Sequence, residues 1–250
     1  MELSTKTILI TGAAGRIGAA TARLALSSGA NVILSDISSQ RLSDLEQDLN
    51  SMHAGNIYSL EADITSEYGL ENLLDQAIKF TGVITSAVHS AYPTSDGWGT
   101  PFEQLKAEYL HQDLSMQLGG TILFSQKILR YFQAQGGGDL ILISSIQGVR
   151  APKFEHYQDT QMTSPIEYAA IKAGVISITR WLAKYYVNQG IRVNCVSPGG
   201  IIDKQASIFL ERYRESCTNI GMLTAEQVAS TIAYLLSPQA IAINGQNMIV

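Results

Sequence analysis

Residues 165–174 read PIEYAAIKAG, which sets Tyr168 and Lys172 four positions apart among small and apolar neighbours. On a helix, positions i and i+4 share a face, so the lysine ammonium can lie close to the phenol. A free phenol ionises at about pH 10, and an adjacent cation favours the phenolate. Such a pair is a tuned acid or base, able to move a proton near neutral pH. The spacing alone says little in a chain with 11 tyrosines. Its context says more: no other tyrosine here has a lysine four residues later, and the pair follows ISSIQG, which puts Ser144 or Ser145 at the end of an apolar run.

These side chains need a scaffold to bring them together. TILIT (7–11), NVILSD (31–36), NIYSLEAD (56–63), GVITSAV (82–88), DLILISS (139–145) and IRVNCVS (191–197) read as strands. IGAATARLALSSG (17–29) and YLHQDLSMQLGGTILFSQKILRYF (109–132) carry helical periodicity. Strand and helix in alternation predict an α/β fold, a single Rossmann-type doubly wound parallel sheet with helices on both faces, built as one domain over residues 1–250. No linker, internal repeat or low-complexity tract interrupts the pattern. Residues 89–102 and 147–164 fit neither element type, and long loops in a compact domain usually carry function.

Where the first strand ends and a helix begins, the chain reads TGAAGRIG, Thr11 to Gly18. Gly12 permits a tight turn, Gly15 lets backbone approach a ligand, and Gly18 lets helix pack on strand, with N–H groups aimed at a diphosphate. A glycine-rich strand-to-helix turn of no special function has the same composition. Asp36 strengthens the ligand reading: it closes the second strand 18 positions after Gly18, where a carboxylate can accept both hydroxyls of an adenosine ribose. That predicts NAD as cofactor, with NADP disfavoured because a 2′-phosphate would meet like charge; Arg16 could still touch a phosphate. Asp36 could instead cap the next helix, for which Ser38 is at least as good a candidate. Asp63 reads equally as a cap or an adenine contact.

Bulk properties exclude other classes. With 250 residues, 46% of them hydrophobic, the chain can bury a large core. A net charge of −5 argues against nucleic acid or anionic membrane as partner. The first residues carry no secretory pattern and no segment reaches membrane-spanning length, so a soluble, cytoplasmic protein is expected. Cys195 and Cys217 form no metal-ligand pattern; both read as plain thiols of a reducing compartment, and no metal is expected.

Taken together and in order, TGAAGRIG, Asp36, Asp63, ISSIQG, YAAIK and VNCVSPGG resemble the classical short-chain dehydrogenases/reductases over essentially the whole chain. The resemblance implies hydride transfer between a nicotinamide and a carbinol or carbonyl carbon. Tyr168 would exchange the proton, Lys172 would bind the nicotinamide ribose and lower the phenol pKa, and Ser145 would hydrogen-bond the substrate oxygen. It implies cofactor contacts from Gly12, Ala14, Gly15, Arg16, Ile17 and Gly18 at the glycine turn. Asp36, Asp63 and Ile64 would follow at the adenosine end, with Tyr168, Lys172, Pro198, Gly199 and Ile201 at the nicotinamide end. Residues from Gly200 to Thr224 would form a mobile cover.

The chain departs from the family's pattern in several places. Arg16 stands where a glycine is usual; the strand that normally ends in Asn-Asn-Ala-Gly reads Thr85, Ser86, Ala87, Val88; Asp203 replaces a threonine; and the chain ends in INGQNMIV, so its last strand or the contacts after it could be curtailed. No asparagine occurs between Asn72 and Asn188, so the helix asparagine that supports a proton relay through water is missing, and Gln117 aligns in its place. Ser145 and Tyr168 are 23 positions apart, which marks an insertion. The run APKFEHYQDTQMTSP, with EYAAIKAG, SPGGI and the earlier Ala91–Pro93, resembles the flagellin-modification and surface-polysaccharide oxidoreductase branch. This implies a sugar-derived substrate, such as a nonulosonic acid or its nucleotide-activated form.

Gln147, Arg150, Lys153, His156 and Tyr157, with His89 and Tyr92 across the pocket, could meet its carboxylate, phosphate or hydroxyls. The same residues could equally be solvated or packed on a surface loop. An NAD-using epimerase without net redox and a non-catalytic NAD-binding regulatory protein are the competing functions. The family resemblance implies a homodimer or homotetramer.

Overall fold

The computed structural model describes residues 2–52 and 56–250. Strands β1 (Thr7–Thr11), β2 (Asn31–Asp36), β3 (Ile57–Glu61), β4 (Ser86–His89), β5 (Gly138–Ile143), β6 (Ile191–Ser197) and β7 (Asn247–Ile249) form one sheet. Its order is β3-β2-β1-β4-β5-β6-β7, and every pairing is parallel. This is the doubly wound sheet the alternation predicts. β1 is buried along its whole length, because helices cover both faces of the sheet. Its side chains alternate between two cores: Ile8 and Ile10 join Leu34, Leu49 and Ile232 on one face, while Leu9 joins Ile33, Phe124 and Val175 on the other. The first core is closed by α1 (Arg16–Ser27), α2 (Ser39–Met52) and α8 (Ala225–Leu236), the second by α3 (Glu67–Thr81), α5 (Gly120–Gln135) and α6 (Ile166–Tyr185).

The sheet order reverses at β1, whose neighbours are β2 and β4. A crevice therefore opens at the carboxyl ends of these strands, the usual ligand site of such sheets. The fourth expected strand shifts. The fourth strand begins at Ser86 rather than Gly82, because Gly82 adopts φ 73° and caps α3, donating its N–H to the Ile78 carbonyl at 2.7 Å. It ends at His89, paired with Thr11, so its closing residues are Ser86 to His89 and not Thr85 to Val88. At the other end of the chain, β7 does form and pairs through Cys195–Ser197 of β6.

The helix expected over 109–132 is interrupted. α4 (Ala107–Asp113) passes through a π turn at Leu114–Gly119 before α5 begins. A π turn accommodates an extra residue and rotates the side chains within it. Here it leaves Gln117 buried and packs Leu118 on α6, where a Cβ at Gly174 would lie 2.7 Å from the leucine. Asp113, at the end of α4, anchors the irregular segment after β4: the Ser95 N–H and hydroxyl donate to its two oxygens at 2.7 and 2.8 Å. The inserted segment is held by two 3-10 turns, Ile146–Gly148 and Phe154–Tyr157. Arg212 of α7 (Ser207–Glu215) donates to the Gln158 carbonyl and, at 2.9 Å, to Asp159.

Candidate active site

A cleft of about 680 Å³ runs along the carboxyl ends of the strands. At one end, the glycine turn forms as its spacing requires. Gly12 has φ +67°, and a Cβ there would come within 2.6 Å of the Ala91 backbone; a Cβ at Gly18 would come within 2.3 Å of the Gly12 carbonyl. Helix α1 starts at this turn with no side chain capping its first N–H groups, which suits an anion such as a diphosphate. Asp36 lies beside it, only 9% exposed, accepting the Ala14 N–H at 3.0 Å and the Ser38 N–H at 3.1 Å. It does not cap α2; the Ser38 hydroxyl accepts from Arg41 N instead. Each oxygen keeps a lone pair for a ribose hydroxyl.

Gly12, Gly15, Arg16, Ile17, Gly18, Asp36, Asp63, Ile64, Pro198, Gly199 and Ile201 all line the cleft. Ala14 does not: its N–H is taken by Asp36. Asp63 lines the cleft while accepting from the Thr65 N–H and hydroxyl at 2.9 and 2.7 Å, ahead of α3, whose own cap is Ser66. Arg16 is ion-paired with Asp203, and Arg41 donates one N–H to the Ala14 carbonyl.

At the other end, Ser145, Tyr168 and Lys172 meet. Ser144 and Ser145 divide the work left open between them. Ser144 donates to the Lys172 carbonyl at 2.7 Å and fixes α6 to β5, while the Ser145 hydroxyl accepts the Gln147 N–H at 3.1 Å and sits beside the Tyr168 phenol, favouring its ionised form. Burial raises the Tyr168 pKa, and the Ser145 hydroxyl only partly offsets it. The expected depression of the phenol by Lys172 is absent from this arrangement. The Lys172 ammonium donates to the Ile143 carbonyl at 3.0 Å, lies over the Tyr168 ring 5.6 Å from its centroid, and is itself lowered to about 8 by burial.

The candidate substrate residues separate into two groups. Tyr92, Gln147 and Tyr157 line the cleft, with Gln147 donating to the Tyr157 hydroxyl at 3.3 Å and accepting from Ser164 at 2.8 Å. His89, Arg150 and His156 do not line it. His156 is buried against Phe209 and Tyr213, Arg150 is exposed, and His89 shares a hydrogen bond of 2.8 Å with Thr11 and stacks on Phe124. Burial first, and then the charge of Lys172, lower His89 to about 3, so it is neutral. His89, Gln117 and Lys172 line a second cavity, with about 10 Å³ open to a water-sized sphere. Phe209 and Tyr213 complete the cleft wall, and the Tyr213 hydroxyl accepts the Gly200 N–H at 2.7 Å. Their spacing, one helical turn apart on α7 within the expected cover, is the signal that could have found them.

A glycine turn at an uncapped helix, a carboxylate closing β2 and the cluster of Ser145, Tyr168 and Lys172 occupy a single cleft. The family model for enoyl-(acyl carrier protein) reductases matches residues 12–250. The chain belongs to the short-chain dehydrogenase/reductase family. These are oxidoreductases that use nicotinamide dinucleotides, and this dehydrogenase/reductase chain has the family's parallel sheet. It is 41% identical to post-translational flagellin modification protein A of Campylobacter coli over 249 residues, covering 99% of this chain and 97% of that one. It is 31% identical to the 7alpha-hydroxysteroid dehydrogenase of Bacteroides fragilis over 250 residues, covering 98% and 92%. A short-chain dehydrogenase from Leptospira borgpetersenii, solved with bound NAD+, superimposes with a TM-score of 0.84 at 28% identity, covering 98% of this chain and 91% of that one.

Proposed function

We propose that this oxidoreductase is NAD-dependent and interconverts a hydroxyl and a carbonyl on a sugar-derived substrate, such as a nonulosonic acid or its nucleotide-activated form, in flagellin or surface-glycan modification. The observation that carries the reading is the convergence of Ser145, Tyr168 and Lys172 at one end of a cleft whose other end holds Asp36. The nicotinamide would supply or accept the hydride. Gly12, Gly15 and the start of α1 would hold its diphosphate, and Asp36 its adenosine ribose. Asp36 favours NAD, because a 2′-phosphate would face its carboxylate.

Ser145 donates to the substrate oxygen and Tyr168 gives or takes its proton, the two side chains lining the same end of the cleft. Gln147 and Tyr157 offer an amide and a phenol to a polyhydroxylated ring, and the charge of exposed Arg150 reaches Tyr213 on the cleft wall, which suits an anionic group at the rim. The flagellin-modification relative supports the sugar context. Gln117 takes the place of the relay asparagine. Both atoms of its amide are buried without a hydrogen-bond partner, and it shares with Lys172 a cavity of one-water size, so a water there would link the two.

Residues 1–250 act as one catalytic domain, and the chain pairs into a homodimer or homotetramer in the cytoplasm. Exposed Trp181 and Tyr185 on α6, stacked at 4.8 Å, and exposed Ile122 and Leu123 on α5 support that assembly. Among the described residues no helix is long and apolar enough to cross a membrane.

The test is nicotinamide absorbance with NAD or NADH against free and CMP-activated nonulosonic sugars, their keto forms, and ordinary polyols, with NMR of the products. Turnover on the sugars that collapses in Tyr168→Phe is the expected result. Conversion without net NADH would replace the reading with an epimerase, and turnover confined to non-sugars would overturn the substrate class.

A further inference from the structure

Lys172 is buried, yet among the described residues no carboxylate forms an ion pair with it; those of Asp113 and Glu167 act on Tyr92 beside it. Desolvation is the sole cause of its lowered pKa. The groups around it come from four elements. Tyr168 lies one turn away on α6, the Ile143 carbonyl comes from β5, neutral His89 from β4 and uncharged Gln117 from the π turn. The carbonyl accepts one of the three ammonium protons. A buried cation with so little opposing charge ordinarily gives up its proton.

The remaining neighbour is Tyr92, from the segment after β4. The Lys172 ammonium lies over its ring, 5.3 Å from the centroid, as well as over that of Tyr168. The two rings meet edge to face at 5.9 Å and 89°, and Trp98 abuts both at 5.4 and 6.0 Å. The segment is pinned at both sides of Tyr92, by Ser90 donating to the Thr11 carbonyl at 2.8 Å and by Ser95 on Asp113. Burial, Tyr168 and the carboxylates of Asp113 and Glu167 all push the Tyr92 phenol upward, so it remains neutral and presents a ring face rather than a phenolate.

We propose that Tyr92 is a positioning residue: its ring face, with that of Tyr168, holds the Lys172 ammonium charged and in place where a buried cation would otherwise need a carboxylate. Aromatic faces attract a cation without accepting its protons in the manner of a carboxylate, so the ammonium remains free to donate to other groups. A carboxylate at this point would bind the lysine more firmly, and would oppose negative charge developing on the phenol. The kinetic consequence rests on the dehydrogenase reading; the contact itself does not.

The test reads the lysine directly, in the cofactor-free protein, by NMR titration of 13Cε-labelled lysines, with the Lys172 signal assigned through its loss in Lys172→Met. Tyr92→Phe keeps the ring and should keep the lysine pKa, whereas Tyr92→Leu should lower it by about one pH unit, the scale of one desolvated ring face. Phenylalanines bearing one, two and three ring fluorines at position 92 preserve shape while draining the ring face, and should lower it stepwise; they decide the matter even if the leucine variant does not fold. The pH profile of kcat should move with the titration. An unchanged lysine pKa across the fluorinated series, or a fall in Tyr92→Phe equal to that in Tyr92→Leu, would overturn the proposal. A stepwise fall in a protein that turns over none of the alcohols or carbonyls tried would uphold it and overturn the dehydrogenase reading instead.

Discussion

Gln117 shares a small cavity with Lys172, and neither the oxygen nor the nitrogen of its amide has a protein partner. An orphaned buried amide costs stability, so an apolar residue of similar shape should be tolerated or preferred by the fold. Gln117→Met is therefore expected to leave the unfolding midpoint unchanged or raised, while kcat falls about tenfold, the scale of one lost hydrogen bond in a proton path. Denaturation and steady-state kinetics on the same preparation check both halves; equal kcat values would remove Gln117 from the relay.

Tyr168→Phe removes the group that gives or takes the substrate oxygen's proton, and should lower kcat by about 10²-fold or more. Cofactor affinity, measured by fluorescence titration, should change little. Ser145→Ala should also slow turnover, and should raise the Tyr168 pKa further, because the serine hydroxyl favours the phenolate.

Lys172 links function to stability through pH. Its folded pKa is about 8 against an ordinary 10.5, so between these values the unfolded chain binds the extra proton. Its cost to the fold is complete below pH 8 and is relieved as pH rises toward 10.5. Lys172→Met should therefore stabilise the protein at pH 7 by about 3 kcal/mol, an advantage that shrinks across that window. Urea denaturation of both proteins at pH 7, 9 and 10.5 measures it, and an advantage that grew with pH would contradict the assignment.

Asp36 serves both the fold and the cofactor. Asp36→Ser should weaken NAD binding about tenfold, the scale of one hydrogen bond to a charged group, and narrow the preference over NADP. The Ala14 N–H also loses its charged acceptor, so some loss of thermal stability should accompany the change. Isothermal titration with both dinucleotides provides the comparison; NADP binding tighter than NAD in the unaltered protein would overturn the choice of cofactor.

Much of this site is local in origin and legible in the chain. Apolar runs closed by glycine or serine become buried parallel strands because helices must cover both faces. Glycines at 12, 15 and 18 make a turn into a helix because side chains would collide with the backbone there. Tyr168 and Lys172 share a face because a helix repeats every 3.6 residues. What depends on distant segments was not legible. His89, Arg150 and His156 have the right chemistry for a substrate, but burial behind the cleft, solvent exposure and packing on α7 keep them from lining it. The π turn that buries Gln117 conforms to a helical sequence pattern and arises where Leu118 packs against Gly174. Tyr92 and Lys172 are 80 positions apart, and their contact exists because β4 ends beside the helix carrying the lysine. Sequence by itself determined which groups could do chemistry and on which elements they ride; tertiary packing alone decided which of them meet, since desolvation and ring geometry act only through space.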